Sequence, residues 1–272
     1  MKQVLAKGQI ERELTSRFGA VFKIGEKPSA HFLSSGVPEI DTLTGGGMPR
    51  GAITEICGPT SSGRISTLVA ALACATGNNE ICAVVDTMDS FDLASASNAG
   101  VDLNRLLWVR CSSNLERAFK ATDLLLQSGG FGLVALNLAD VKARYTRRIM
   151  SSWWFRFRGA IENTPTALVV VTPVACIRSS AALVLELKTE DTVWPSTLSL
   201  VLGNGDARLT IKEDKEYSTR RLSLVTAPTQ QPGIYFTPLS HSHLLQGIRI
   251  RVNRERPLAW PGKPARFDTR LH

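Results

Sequence analysis

Residues 58–67 read GPTSSGRIST. Against the phosphate-loop pattern G-x-x-x-x-G-K-[ST], Gly58 and Gly63 are in place, but Arg64 and Ile65 stand where the lysine and the hydroxyl residue belong. The run before it, AITEIC (52–57), has the character of a buried strand, and the small apolar stretch from about Ser62 to Ala75 that of a helix. A strand, a glycine turn and a helix in that order aim backbone N–H groups at an anion, and the helix N-terminus adds positive potential. The turn is therefore a credible phosphate cradle. Its chemistry is less so, because Arg64 is longer and planar, Ile65 offers no oxygen to a metal, and Ser66 comes one helical position late.

Outward from this turn the alternation continues. ICAVVD (81–86), LLWVRC (106–111), FGLVALNLA (131–139) and TALVVVTPV (166–174) read as strands, and LERAFKATDLLLQSG as a helix stopped at Gly129 and Gly130. The spacing implies βαβ units and a mostly parallel sheet flanked by helices. A basic helix is expected from about Val141 to Glu162. ALVLELK follows, then TLSLVLGN, DARLTIKED and RRLSLVTA, the last three antiparallel with a tight turn at GNGD (203–206). The domain reading is an N-terminal arm (1–28), a core domain (29–228) and a basic Pro/Arg-rich tail (229–272) without regular structure. The arm would hold an amphipathic helix bearing Val4, Leu5, Ile10, Leu14 and Phe18, the extended piece AVFKIG and the linker GEKPSA.

Composition narrows the functional classes. The 43% hydrophobic and 21% charged residues are ordinary for a globular protein, and no apolar run is long enough to span a membrane. The charged N-terminus lacks a signal-peptide core, so a cytoplasmic location is expected. The five cysteines are scattered among apolar neighbours and read as buried thiols; His241 and His243 find no third metal ligand. The net charge of +8 is concentrated. Residues 141–161 hold six basic groups and no acid, and residues 243–272 hold seven against Glu255 and Asp268, leaving about −3 for the rest. Such segments suggest a polyanionic partner, DNA first, single-stranded or duplex. The candidate contacts are Arg144, Arg147, Arg148, Arg156 and Arg158, Arg249, Arg251, Arg254 and Arg256. In YTRRIMSSWWFRFRGAIE, Ile149, Trp153 and Phe157 share one helical face and are expected in the core, with Trp154 exposed for stacking on bases.

A magnesium-dependent ATPase further needs an acid at the end of the fourth strand and a carboxylate after the second. Asn137 stands at the first position; Asp86, Met88 and Asp89 surround the second, and Asp140 lies past the strand.

With these residues in hand the chain resembles the RecA-type recombinases. The resemblance is carried by QIERELTSRFGAVFKIGE, by LSSGVPEIDTLTGGGMPRGAITEICGPTSSG and by AVVDTMDSFDLASASNAGVDLNRLLWVRC, over about residues 9–140 and more weakly to about 226. It implies a RecA-like core with an N-terminal helix-strand arm that docks on a neighbouring subunit. It also implies that Gly58, Ser62 and Gly63 match the phosphate loop, while Arg64 replaces its lysine, Ile65 its threonine, Asn137 its strand-end aspartate and Met88 its catalytic glutamate. The family's γ-phosphate-sensing position falls at Pro173 and Val174, and its two DNA-binding loops are shortened, since only ACIRSS separates TALVVVTPV from ALVLELK. These replacements resemble those of the ImuA-type proteins, RecA-like accessories of a translesion polymerase. The expectation is an accessory protein without catalytic residues, which binds DNA, RecA or a translesion-polymerase-like partner in DNA repair or damage-induced (SOS) mutagenesis. No cofactor is required, and Arg64 with the loop glycines leaves nucleotide binding without hydrolysis open. Homo-oligomers would form through the arm. Two rivals stand beside it: a DNA-dependent ATPase using Arg64 with Asp86 or Asp140, and a protein-interaction module such as a RecA-like cell-division inhibitor.

Overall fold

The computed structural model describes residues 32–193, 197–202, 205–212, 221–224, 247–257 and 264–270. The expected arm, the GNGD turn residues Gly203 and Asn204, and His241 and His243 lie outside them. The chain divides into two compact units, Met1–Thr189 with Ile250–Phe267, and Glu190–Arg249 with Asp268–His272.

Among the described residues the first unit starts with a two-stranded antiparallel ribbon, β1 (Phe32–Leu33) and β2 (Met48–Pro49), bracketing helix α1 (Pro38–Thr44). Next come β3 (Ile53–Cys57), α2 (Arg64–Gly77), β4 (Cys82–Asp86), α3 (Leu93–Asn98), β5 (Leu106–Arg110), α4 (Leu115–Ser128) and β6 (Leu133–Asn137). Local chemistry sets these boundaries: the Asp92 side chain accepts from the backbone N–H of Ala94 and Ser95 to start α3, and Asn114 from that of Arg117 to start α4.

Two short helices follow, α5 (Ala143–Thr146) and α6 (Ser151–Ile161), then β7 (Ala167–Thr172) and β8 (Ala181–Val193). The basic helix expected over 141–162 is thus broken, its backbone extended at Met150 (ψ 133). The break resets the helical phase. Trp154, Phe157 and Ile161 are buried, three and four residues apart, so Trp154, expected on the surface, is a core residue at 2% exposure. Trp153 and Ile149 are half-buried around it. Phe119 of α4 meets Trp153, Trp154 and Phe157 with ring centroids 5.4, 5.3 and 5.6 Å away.

Strands β9 (Thr197–Leu202), β10 (Gly205–Lys212) and β11 (Arg221–Leu224) make the antiparallel sheet read from their alternation. A second departure lies beyond them. β12 (Gly247–Arg256) and β13 (Ala265–Arg270) occupy part of the stretch expected to be an irregular tail. They extend the main sheet, whose order is β13-β12-β8-β3-β7-β6-β4-β5. In that sheet β3 pairs in parallel with β7 and β8, and β6 with β7 and β4. Ile250 and Val252 of β12 are fully buried, because GIRIRV alternates apolar and basic residues as a strand does.

Strands β3, β4, β6 and β7 are buried along their whole length. The chain leaves β3 and returns at β4, passing β7 and β6, so these strands end side by side where the connections diverge. In open α/β sheets this is where ligands bind.

Candidate functional site

At that sheet edge the turn from Gly58 to Gly63 leads into α2. Gly63 has φ +84°, and a Cβ there would come within 2.1 Å of Ile250 Cδ1. At Gly58 (φ +156°) a Cβ would come within 2.2 Å of the Leu187 carbonyl oxygen. Gly58 is required by the fixed backbone of Leu187, and Gly63 is favoured by its left-handed φ and by the end of the Ile250 side chain. The turn is also tied to β8, where Thr189 Oγ1 donates to the Ser61 carbonyl at 2.8 Å. The Ser62 hydroxyl is buried with no hydrogen-bond partner among the described residues.

Arg64, at the first position of α2, is 5% exposed. Its Nη1 donates to the Thr172 carbonyl at 2.8 Å and to the Ala139 carbonyl at 3.2 Å. The guanidinium therefore bridges the end of β7 and the segment after β6. Burial lowers the Arg64 pKa, and the nearby charge of Asp140 opposes the shift. Ile65 is half-buried and Ser66 exposed.

The strand-end polar groups are linked to one another. Asn137 Nδ2 donates to Asp86 Oδ1 at 3.1 Å, its own Oδ1 accepts from the Ala139 N–H, and Asp86 Oδ2 accepts from the Phe91 N–H at 2.7 Å. Asp89 accepts from the backbone N–H of Cys111 and Ser112 and pairs with Arg110 at 3.3 Å. Met88 is 38% exposed beside them, Pro173 and Val174 are half-buried, and Asp140 is exposed.

A buried carboxylate unremarked in the sequence stands on β3, across β7 from Asn137. Glu55, in the middle of β3, is 0% exposed and accepts from Thr172 Oγ1 at 3.0 Å and from the backbone N–H of Cys176 and Ile177 at 2.7 and 3.2 Å. It fastens the ACIRSS link to the sheet. An acid inside ITEIC is the signal that could have found it, since a charge in a buried strand needs donors. The cysteines are all unpaired; burial pushes the thiols of Cys57 and Cys111 up to about 12 and 11, so they stay protonated. Among the described residues, no group of three or more potential metal ligands converges.

The basic candidates divide by their partners. Arg156 is held by a bidentate pair with Asp123, both contacts at 2.6 Å, which raises its pKa. Arg249 pairs with Asp268 at 3.0 Å, Arg251 Nε donates to Asn253, and Arg254 Nη1 donates to the Leu43 carbonyl at 2.8 Å. Arg144 lies over the Tyr145 ring at 4.7 Å. Arg147, Arg148 and Arg158 are exposed, while Arg256 is half-buried. With Trp154 in the core, the protruding apolar side chains of this segment are Tyr145, Met150 and Phe155.

A mostly parallel sheet with a glycine turn between a central strand and its helix defines an α/β protein of the phosphate-loop class. The profile of the RecA N-terminal domain matches residues 3–175, and the chain belongs to the RecA family. It is similar to the RecA protein of Borrelia hermsii, 26% identical over 256 residues that cover 81% of this chain and 71% of that protein. To the RecA protein of Wigglesworthia glossinidia brevipalpis it is 29% identical over 64% of this chain and 57% of the relative. For that of Desulfotalea psychrophila the figures are 28%, 57% and 48%. No helix among the described residues is long and apolar enough to cross a membrane.

Proposed function

We propose that this RecA-family protein is an accessory factor in DNA repair or damage-induced mutagenesis, acting by binding and not by ATP turnover. One observation carries the reading. The side chain following Gly63, whose charge in a working loop reaches the terminal phosphates, is buried and hydrogen-bonded to the Thr172 and Ala139 carbonyls. Two further positions support it: Ile65 offers no oxygen for magnesium, and Asn137, a neutral amide, is engaged by Asp86 and Ala139. The residues present do not suit a magnesium–nucleotide complex. The partner class implied by the resemblance is RecA or a translesion polymerase, and the net charge of +8 supplies sequence-independent attraction to the DNA on which such proteins work.

Phosphate release from ATP, measured with and without single-stranded DNA, tests the reading. The expected result is no turnover above background. Turnover that disappears in Arg64→Ala overturns it in favour of an ATPase with an atypical loop. One observation favours that rival, the partnerless Ser62 hydroxyl inside an otherwise well-formed turn.

A further inference from the structure

The segment from Tyr145 to Arg158 combines features that the fold itself does not use. Met150 and Phe155 are 65% and 56% exposed, more than any other large hydrophobic side chain among the described residues. Large exposed apolar patches rimmed by polar residues mark interaction sites, and these two side chains lie five residues apart in one basic segment. Phe155 and Arg158 lie three residues apart on α6 and so share a face, with Arg147 and Arg148 just ahead of Met150. These three arginines are exposed and form no ion pair among the described residues. Nearby acids offer little compensation. Asp123 is taken by Arg156, Glu116 by Lys120 at 2.6 Å, and Glu162 comes only after the helix ends.

From this face we infer a docking site for an acidic protein segment carrying an apolar anchor. The inference rests on the reading that the protein acts by binding, and it names the chemistry of the partner. Charge complementarity selects an acidic partner, and the apolar pair selects protein over nucleic acid. Single-stranded nucleic acid is gripped by successive aromatic platforms. Here Trp154 is buried, Trp153 is half-covered by Phe119 and Phe157, and one face of the Tyr145 ring is taken by the Arg144 guanidinium. Phe155 is left as the most exposed ring of this segment, and Met150, at the N-cap of the same helix, has no base to recognise. A flexible thioether and a phenyl ring rimmed by arginines instead suit a protein hot spot, where Met, aromatic residues and Arg are enriched.

The test uses the full chain and a random peptide library displayed on phage, with an oligothymidylate as the competing probe. Selection on the protein should enrich peptides in which acids flank a large apolar residue, relative to selection on the double variant Met150→Ser/Phe155→Ser. A synthetic copy of an enriched peptide should bind about tenfold more weakly to that variant. It should also lose affinity on added salt, less so in Arg147→Gln/Arg148→Gln. The thermal midpoint of the double variant should match that of the parent, since both side chains lie outside the core. Failure to enrich acidic peptides over the double variant overturns the proposal. So does a peptide affinity indifferent to both variants. Oligothymidylate binding that depends on Phe155, with no peptide recovered, assigns the face to nucleic acid. ATP turnover would remove the non-hydrolysing reading and leave the docking face standing, so the two failures are separable.

Discussion

Arg64→Ala deletes the donor of two buried hydrogen bonds and leaves the Thr172 and Ala139 carbonyls short of a partner. A cost of about 2 kcal/mol in urea unfolding is expected, whereas substitution of a phosphate-reaching side chain would leave stability almost unchanged. The sequence disclosed the charge at this position but not its direction, because a guanidinium reaches outward or back over the sheet with the same local pattern. Glu55 gives a second residue-scale test, through pH. Burial outweighs its hydrogen bonds from Cys176, Ile177 and Thr172 and raises its pKa above the ordinary 4.5. A carboxyl that holds its proton more tightly in the folded chain contributes stability that is full below about pH 4.5 and is lost as pH rises through the folded value. The stability of the parent relative to Glu55→Gln, from urea curves taken from acid to mildly alkaline pH, should therefore fall as pH rises. A rise would mean that the hydrogen bonds outweigh burial.

At the scale of elements, α6 and β12 carry the tests. Phe157→Ala removes a fully buried ring from the cluster with Phe119, Trp153 and Trp154 and should cost about 3–5 kcal/mol. Phe155→Ala, on the exposed face, should stay within about 0.5 kcal/mol, and denaturant curves compare the two directly. Similar costs for the two would mean that Phe157 is not packed in this ring cluster. The helical phase was the part of α6 the sequence hid. Periodicity alone puts Ile149, Trp153 and Phe157 together, but the extended backbone at Met150 starts a new helix and brings Trp154 inward. The glycine turn was legible because glycine suits its two close approaches, and the parallel strands because each is an apolar run between turn signals. β12 was hidden behind its arginines, though the alternation of Ile248, Ile250 and Val252 is a strand signal. Its contact with the turn gives a further expectation: Gly63→Ala is strained both by its φ and by Ile250, so its cost, about 2 kcal/mol, should shrink in an Ile250→Ala background.

For the whole molecule the question is what the C-terminal residues do. A tail read from Pro and Arg content would be removable without harm to the sheet, while two added strands would not. Ile250 and Val252 are fully buried and Phe267 is 9% exposed, and burying such side chains contributes about 1.5–3 kcal/mol each. Together they represent about 4–9 kcal/mol against a total stability of about 5–15 kcal/mol for a typical domain. Removal would also uncover β8 along one edge and open the Ile250 side of the glycine turn, so the effect should reach the central strands. A chain ending at residue 246 is therefore expected to lose its cooperative calorimetric transition, or to melt far below the full chain, and to bind a hydrophobic dye before heating. A cooperative transition within a few degrees of the parent would make β12 and β13 an appendage. The glycine turn would then owe its shape to β3, α2 and β8 alone, and Gly63→Ala should cost no more than its left-handed backbone demands, about 1 kcal/mol.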